Sequence, residues 1–329
     1  MKSIFLTSFF LLTLSCHTKG NLKEIINNMI FAGSNTERDI AKEREINFSL
    51  PFSQLVHINL KTAKPKIITE QTEQETKNGT ADNLPCILLS KEKYDLKTAQ
   101  PKTLIVYLGG NGETNYNSRG YEFFFLAKED SDVLIVGYPG YPGSRAQASP
   151  ENFYLHTEVL AKSLSSFFST LYKKIIIIGW SIGCAAAINT TLCAQEKTIS
   201  HLTLINGFTN IIVCAKHLIT RQFPFAGLFP EQISSNISNR FDNKSRIEKI
   251  TTPLTIIYTP KDDFVYNKDS TTLYNAAKTC KDKILKEIPG DHIQWDSSLV
   301  YNIITLHSQN RKSEIDKTIE EYKKKEEER

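Results

Sequence analysis

Short apolar runs alternate along this chain with longer stretches in which apolar residues recur every three or four positions. Short runs rich in β-branched residues are typical of strands buried on both faces, whereas the longer pattern is typical of helices that cover a sheet. We predict strands at residues 55–60, 66–69, 86–89, 103–108, 133–136, 175–178, 202–205, 253–258 and 284–288. We predict helices at residues 121–127, 150–172, 270–280 and 297–308, and one that begins just after residue 181. Strands that alternate with helices predict an α/β fold, with a mostly parallel sheet and helices on both faces.

The stretch KIIIIGWSIGCAAA, residues 174–187, is the most informative part of the chain. It contains the pattern G-x-S-x-G, with Ser181 at its centre. Alone, this pattern is equally typical of an ordinary loop with a serine N-cap. The isoleucine run before it and the alanine run after it provide the strand and helix that a nucleophile elbow requires. Such a turn is tight enough to need Gly179 and Gly183, and it would expose the Ser181 hydroxyl at a helix N-terminus.

Length and composition exclude several classes of protein. The chain has 329 residues, of which 40% are hydrophobic and 23% charged, so it is globular rather than disordered. A formal net charge of +4, dispersed along the chain, does not indicate a nucleic-acid surface. The six cysteines include no C-x-x-C pair and lie near no histidine cluster. We therefore expect no metal site, no cofactor and no disulfide framework.

The N-terminus has the pattern of a targeting segment. Lys2 is followed by the apolar residues 4–14, too few to span a bilayer as a mature helix, and then by Cys16. A cysteine at this place resembles a bacterial lipoprotein signal, although Thr13 stands where a branched aliphatic residue is usual. The alternative is a plain secretory signal. We expect an exported, membrane-anchored lipoprotein, or otherwise a secreted or periplasmic protein.

The chain is predicted to divide into a signal segment, a tether, one large α/β domain and a tail. The tail contains almost only charged side chains, which predicts a solvated helix. The boundaries are residues 1–16 for the signal and lipid-attachment segment, 17–50 for the tether, 51–310 for the domain and 311–329 for the tail.

Polar loops directly follow four of the predicted strands. They contain the sequences GGNG, the elbow, KDD and GDH. Because the carboxyl ends of parallel strands meet at one edge of a sheet, we expect Ser181, His292 and either Asp262 or Asp263 to lie together. A serine hydroxyl needs a base to become a nucleophile, histidine titrates near neutral pH, and a carboxylate orients the imidazole.

At this point the sequence resembles the α/β-hydrolase family, in its short-lid branch of esterases, lipases and thioesterases. The resemblance covers roughly residues 55–308. The family usually has a histidine where this chain has Gly109, and the loop at 138–144 carries extra prolines. The matching motifs are G-W-S-I-G at 179–183, Y-L-G-G-N-G at 107–112, Y-P-G-Y-P-G-S at 138–144, P-K-D-D-F-V at 260–265 and G-D-H at 290–292.

The resemblance implies a sheet of the eight-stranded type and a catalytic triad of Ser181, Asp262 and His292. Asp262 is preferred to Asp263 because the family places the acid two residues before a hydrophobic pair. The oxyanion hole would consist of the backbone N–H of Ile182 and that of Gly110 or Asn111. A small cap is expected at about residues 209–248, where an aromatic and proline cluster at 223–230 forms either a lid or a packed connection.

The implied activity is that of a serine hydrolase acting on carboxylic esters or thioesters, including those of lipids. Its partners would be a small-molecule or lipid acyl substrate and, through Cys16, a membrane surface, but no nucleic acid. Two alternatives use the same scaffold: a serine peptidase, and a surface protein that binds without catalysis.

Overall fold

The computed structural model describes residues 53–68, 83–90, 102–114, 117–127, 131–141, 144, 146–214 and 241–328. Within these residues, nine strands form a single sheet in the order β2-β1-β3-β5-β4-β6-β7-β8-β9. The strands are β1 Ser53–Asn59, β2 Pro65–Ile68, β3 Asn83–Leu89, β4 Lys102–Leu108, β5 Ser131–Val136, β6 Tyr172–Trp180, β7 His201–Ile205, β8 Leu254–Tyr258 and β9 Lys283–Glu287.

The sheet is parallel from β5 to β9 and antiparallel at its other edge. Strand β1 runs antiparallel to both β2 and β3, and β3 runs antiparallel to β5. All remaining neighbours pair in parallel. The predicted mostly parallel sheet is therefore confirmed. It has one strand more than the expected eight-stranded type, because the β1–β2 hairpin extends the antiparallel edge.

Helices cover both faces of the sheet, as predicted. The segment predicted as one helix over residues 150–172 is instead interrupted by a π-helix, Leu164–Phe168, and ends where β6 begins. Ser165 and Ser166 donate their hydroxyls to the carbonyls four residues back, which competes with regular helical hydrogen bonding. The α-helices are α1 Gly120–Leu126, α2 Pro150–Ser163, α3 Ser169–Leu171, α4 Ile182–Cys193, α5 Asn243–Ile247, α6 Asn267–Ala276, α7 Ser297–Ser308 and α8 Ile315–Glu327, and a 3₁₀ turn at Lys312–Glu314 precedes α8.

Two hydrophobic cores lie on opposite faces of the sheet because side chains alternate along each strand. In β6, Ile175 and Ile177 face the core that contains α2, α4 and α6. Ile176 and Ile178 face the other core, which contains α1, α7 and α8. This three-layer arrangement fixes the carboxyl ends of the parallel strands at one edge.

The charged tail is not solvated all round, and this part of the prediction is wrong. Ile315 and Ile319 in α8 are buried in the second core, with Tyr322 packed beside them. Residues four apart lie on the same face of a helix, so two isoleucines suffice to dock it. Ion pairs of Lys312 with Asp282 and of Lys286 with Asp316 hold the start of the tail to the domain.

Several predicted segments fall outside the described residues. These are the signal and tether at residues 1–50 and most of the cap, including the cluster at 223–230. No helix in the described ranges is long and apolar enough to cross a lipid bilayer.

Candidate active site

Ser181 occupies a strained turn between β6 and α4. Its backbone has φ 55° and ψ −117°, a region that non-glycine residues rarely adopt. Only glycine fits sterically at the two flanking positions. A Cβ at Gly183 would collide with the carbonyl of Leu108, and one at Gly179 would lie 2.5 Å from the Gly183 carbonyl oxygen. The Ser181 N–H donates to the Ile205 carbonyl at 3.0 Å, which ties the turn to β7.

The structure brings Ser181, His292 and Asp262 together, although they are far apart in the sequence. The Ser181 Oγ lies 3.0 Å from His292 Nε2, and His292 Nδ1 lies 2.7 Å from Asp262 Oδ2. Both the imidazole and the carboxylate are largely buried. An ionised carboxylate only accepts hydrogen bonds, so Nδ1 carries the proton of a neutral His292 and Nε2 accepts from the Ser181 hydroxyl.

The backbone of its own loop determines which way the Asp262 carboxylate points. Its Oδ1 accepts the N–H groups of Phe264 and Val265, each at 2.8 Å, while Oδ2 is left for His292. Of the two candidate acids, Asp262 is the one whose 2.7 Å hydrogen bond reaches the imidazole. Phe264 also packs against the imidazole, with ring centroids 5.0 Å apart.

The loop that carries His292 is held by residues that the sequence did not single out. The side chain of Asn206, at the end of β7, accepts the Thr259 N–H at 3.0 Å. The Thr259 hydroxyl donates to the Asp291 carbonyl at 2.9 Å, and the Trp180 indole N–H donates to the His292 carbonyl at 3.1 Å. These bonds join the ends of three strands to the turn. The only sequence signal was that Asn206 and Thr259 directly follow strands.

Two tyrosine hydroxyls hold the loop at residues 109–112. Tyr138 donates to the Gly109 carbonyl and Tyr141 to Asn111 Oδ1, each at 2.8 Å. The sequence analysis placed both tyrosines in the loop at 138–144 but gave them no role. A Cβ on Gly110 would come within 2.7 Å of the Trp180 ring, so this loop packs directly on the end of β6 beside Ser181.

Backbone donors close to Ser181 come from two elements. Ile182 opens α4, and the first N–H groups of a helix have no partner within the helix. In the facing loop, Gly110 donates its N–H to Glu113 Oε2 at 3.3 Å. Of the two residues predicted from that loop, Gly110 thus has its N–H engaged within the protein. Gly110 and Asn111 both lie in the loop that follows β4.

A second hydroxyl, imidazole and carboxylate series lies at the opposite end of the sheet. Thr255 Oγ1 is 2.6 Å from His307 Nδ1, and His307 Nε2 is 3.0 Å from Asp282 Oδ1. His201 Nε2 contacts the same hydroxyl at 2.9 Å. Thr255 is fully buried, so no substrate can reach it. The arrangement around Ser181 is thus the one that faces the loop edge of the sheet.

Comparisons with known proteins support the fold. No protein-family model matches the chain. Protein bem46 of Schizosaccharomyces pombe is 25% identical over 224 residues, which cover 62% of this chain and 73% of bem46.

Several solved structures are similar to this one. They include an esterase from Pyrococcus furiosus, with a TM-score of 0.50 and 16% identity, covering 83% of this chain and 94% of the esterase. An acylaminoacyl peptidase from Pyrococcus horikoshii has a TM-score of 0.53 and 12% identity, covering 76% of this chain but only 45% of the peptidase. A protein named AbyA5 has a TM-score of 0.57 and 9% identity, covering 91% and 83%. The chain has the α/β-hydrolase fold.

Proposed function

We propose that this protein is a serine hydrolase that cleaves carboxylic esters through an acyl-enzyme. The observation that carries the proposal is the continuous hydrogen-bonded series from Ser181 Oγ through His292 to Asp262, at 3.0 and 2.7 Å. A nucleophile within reach of a base, with that base oriented by a third group, is the arrangement that covalent catalysis requires.

In the first half of the reaction, Ser181 Oγ attacks the carbonyl carbon of the ester while His292 Nε2 accepts the hydroxyl proton. The imidazolium that forms is stabilised by Asp262, which its two backbone hydrogen bonds keep aligned. The carbonyl oxygen becomes an oxyanion and accepts N–H groups from Ile182 and Asn111. One such donor is worth roughly 3 kcal/mol because it faces charge that exists only in the transition state.

Collapse of this tetrahedral intermediate breaks the bond to the alcohol, which leaves with the proton from His292. A water molecule then attacks the acyl-serine ester and gives its proton to the same nitrogen. The second collapse releases the carboxylic acid and returns the proton to Ser181. His292 exchanges protons in turn with Ser181, the leaving alcohol and the water, so its imidazole must stay in place. The turn at residues 290–294 is braced for this: Asp291 accepts the N–H groups of Ile293 and Gln294 at 2.8 and 2.7 Å.

Exposed apolar side chains on the site loops favour a substrate with an apolar acyl group. Ile293, next to His292, is 41% exposed, and Tyr266, in the loop of Asp262, is 48% exposed. Val213, in the segment that leads into the predicted cap, is 42% exposed. Exposed large apolar side chains on the loops that carry a site are typical of surfaces that bind apolar ligands.

The proposal is tested by labelling with a fluorophosphonate and by hydrolysis of p-nitrophenyl esters of increasing acyl length. We expect one label per folded molecule in the wild type and none in Ser181→Ala. The matched control is Ser166→Ala, an exposed serine in the π-helix, which leaves the site unchanged. We expect esters to be hydrolysed with a preference for an acyl chain of defined length.

Two results would contradict the proposal. Absence of Ser181-dependent labelling in folded protein would reject a catalytic role and favour a binding protein. Labelling combined with faster cleavage of aminoacyl p-nitroanilides than of esters would identify a peptidase instead.

The N-terminal pattern supports a location for this activity. We propose that Cys16 carries lipid and anchors the protein to a membrane after export. Cells fed radiolabelled palmitate should label the wild type but not Cys16→Ser. An unlabelled wild type whose mature N-terminus has lost the apolar segment would show a plain secretory signal and overturn the anchor.

A further inference from the structure

Glu113 lies directly beneath the loop at residues 109–112 and has no role in the proton transfers described above. Part of the residue reaches solvent, yet three hydrogen-bond donors converge on its carboxyl group. Gly110 N–H and the Tyr107 hydroxyl donate to Oε2 at 3.3 and 3.1 Å, and Arg119 N–H donates to Oε1 at 3.1 Å. A carboxyl group held this way links the backbone at Gly110, the backbone at Arg119 and the side chain of Tyr107.

The first link determines the geometry of the loop at residues 109–112, which we call the oxyanion loop. Glu113 receives the Gly110 N–H through its side chain, and its own N–H donates to the Gly110 carbonyl at 3.1 Å. A Cβ on Gly109 would collide with the Glu113 carboxyl, so the loop is wrapped closely around it. The Gly110 N–H is thereby directed to Glu113, and the same turn sets the position of the adjacent residue, Asn111.

The second link runs to the loop of His292. The Arg119 guanidinium donates to the carbonyls of Ile293 and Trp295, and it stacks 4.3 Å from the centre of the Trp295 ring. Because the N–H of Arg119 is held by Glu113, the carboxyl group connects the oxyanion loop on one side of Ser181 to the histidine loop on the other.

We propose that Glu113 is a positioning residue that aligns the oxyanion loop with the His292 loop. This inference rests on the proposed serine hydrolase activity. Glu113 would not touch the substrate. It would act by placing the Asn111 N–H and the imidazole on opposite sides of the reacting carbonyl, and a displacement of about 1 Å at such a site costs up to about 100-fold in rate.

The raised pKa of the Glu113 carboxyl group is consistent with a structural role. Burial raises the pKa of Glu113 to about 7, against the hydrogen bonds from Arg119, Tyr107 and Gly110. The titratable and charged groups that face it are Tyr107 from β4, Tyr138 from the loop after β5, and Arg119. When protonated, the carboxyl can donate to Tyr107 and still accept the N–H groups of Gly110 and Arg119. A glutamine cannot, because its NH₂ must face one of those two N–H groups.

Glu113→Gln is therefore the sharpest test, since it keeps the shape but removes one acceptor. We expect kcat for a p-nitrophenyl ester to fall about 10- to 100-fold with KM within about threefold, because the defect lies in the transition state. Affinity for a trifluoromethyl ketone, which forms a tetrahedral oxyanion on Ser181, should fall by a similar factor. The matched control is Glu158→Gln, the same exchange at an exposed position on α2, which should keep kcat within about threefold.

The failure of this inference can be distinguished from failure of the proposed function. If wild-type protein is not labelled at Ser181, the hydrolase itself is rejected. If wild-type protein is labelled, two outcomes would show that Glu113 does not position the site. In the first, Glu113→Gln retains both kcat and ketone affinity. In the second, its activity falls only in proportion to the fraction of molecules that the fluorophosphonate labels. If Glu113→Gln does not fold, the same measurements are made on Glu113→Asp, with the same deciding outcomes. Aspartate keeps the charge, but its carboxyl group is too short to reach Gly110.

Discussion

Asp262 holds His292 through a 2.7 Å hydrogen bond while two backbone N–H groups fix its other oxygen. The carboxylate cannot rotate without breaking three bonds at once. The orientation of the imidazole is therefore built into the loop before any substrate binds. One Asp262 oxygen is held by the loop backbone and the other faces His292, which is why Asp262 is assigned as the acid.

Replacing Asp262 by asparagine should abolish most activity without unfolding the protein. The amide can offer its NH₂ to the imidazole, which then adopts the tautomer that cannot accept the Ser181 proton. We expect kcat to fall about 10³- to 10⁴-fold, measured by ester hydrolysis. Asp263→Asn is the matched control and should stay close to wild type. Comparable losses in both variants would refute the assignment of Asp262.

Relieving the strain at Ser181 should stabilise the protein. Positive φ at this residue costs of order 1–3 kcal/mol, whereas glycine loses about 0.5–1 kcal/mol more chain entropy on folding. We therefore expect Ser181→Gly to be about 0.5–2 kcal/mol more stable than Ser181→Ala by urea unfolding, although both are inactive. Ser169, with φ −64°, is the control site, where alanine should be more stable than glycine. The same order at both sites would mean that the turn stores no strain.

Buried His156 should make the protein less stable in acid. Burial lowers the pKa of His156 to about 4, and neither ring nitrogen has a hydrogen-bond partner among the described residues. The unfolded state, with a pKa near 6.5, binds the proton first, so stability contributed by the neutral form is present above about pH 6.5 and is lost as the pH falls toward 4.

Exchanging His156 for leucine removes this titration. We expect His156→Leu to gain about 1–2 kcal/mol relative to wild type on going from pH 8 to pH 5, measured by urea unfolding at both values. The measurement at pH 8 serves as the internal control, since there the histidine is neutral in both states. An equal difference at the two pH values would show that packing, and not protonation, separates the proteins.

The docked tail should contribute to the stability of the whole domain. Ile315 is fully buried against the second core, so Ile315→Ala should cost about 2–5 kcal/mol. Glu320→Ala, on the exposed side of the same helix, is the control and should change stability by less than about 0.5 kcal/mol. Thermal unfolding monitored by near-ultraviolet circular dichroism reports on the domain. An Ile315→Ala variant as stable as the control would mean that the tail is not part of the fold.

The sheet and the position of Ser181 could be predicted because their signals are local. A β-branched run predicts a strand from a few residues, and the elbow needs only a strand, two glycines and a helix. The approach of His292 to Ser181 was predictable in outline, since both follow parallel strands at one edge. The choice of Asp262 could not be derived from the residues alone, because both acids share one loop and only the backbone geometry separates their side chains.

The bracing of the site could not be predicted in the same way. Arg119 reaches the Trp295 carbonyl across 176 positions of sequence, and no local pattern indicates such a contact. Glu113 follows a glycine loop and looks like a solvent-exposed residue until its three donors are known. Ile315 and Ile319 lie four residues apart, which indicates an apolar face on α8. The surface that this face packs against lies on another helix, so the docking itself could not be predicted.

The two faces of the sheet are completed at different stages of chain synthesis. One core receives α2 and α4 soon after β4 and β5 are made. On the other face, apolar side chains such as Ile105 and Ile135 acquire only α1 early, and their remaining cover comes from Ser297–Ser308 and Ile315–Glu327. Until those two C-terminal helices pack, this face of the sheet is only partly covered. Its closure is a late, long-range folding event, and the incompletely folded chain is most prone to aggregation before it.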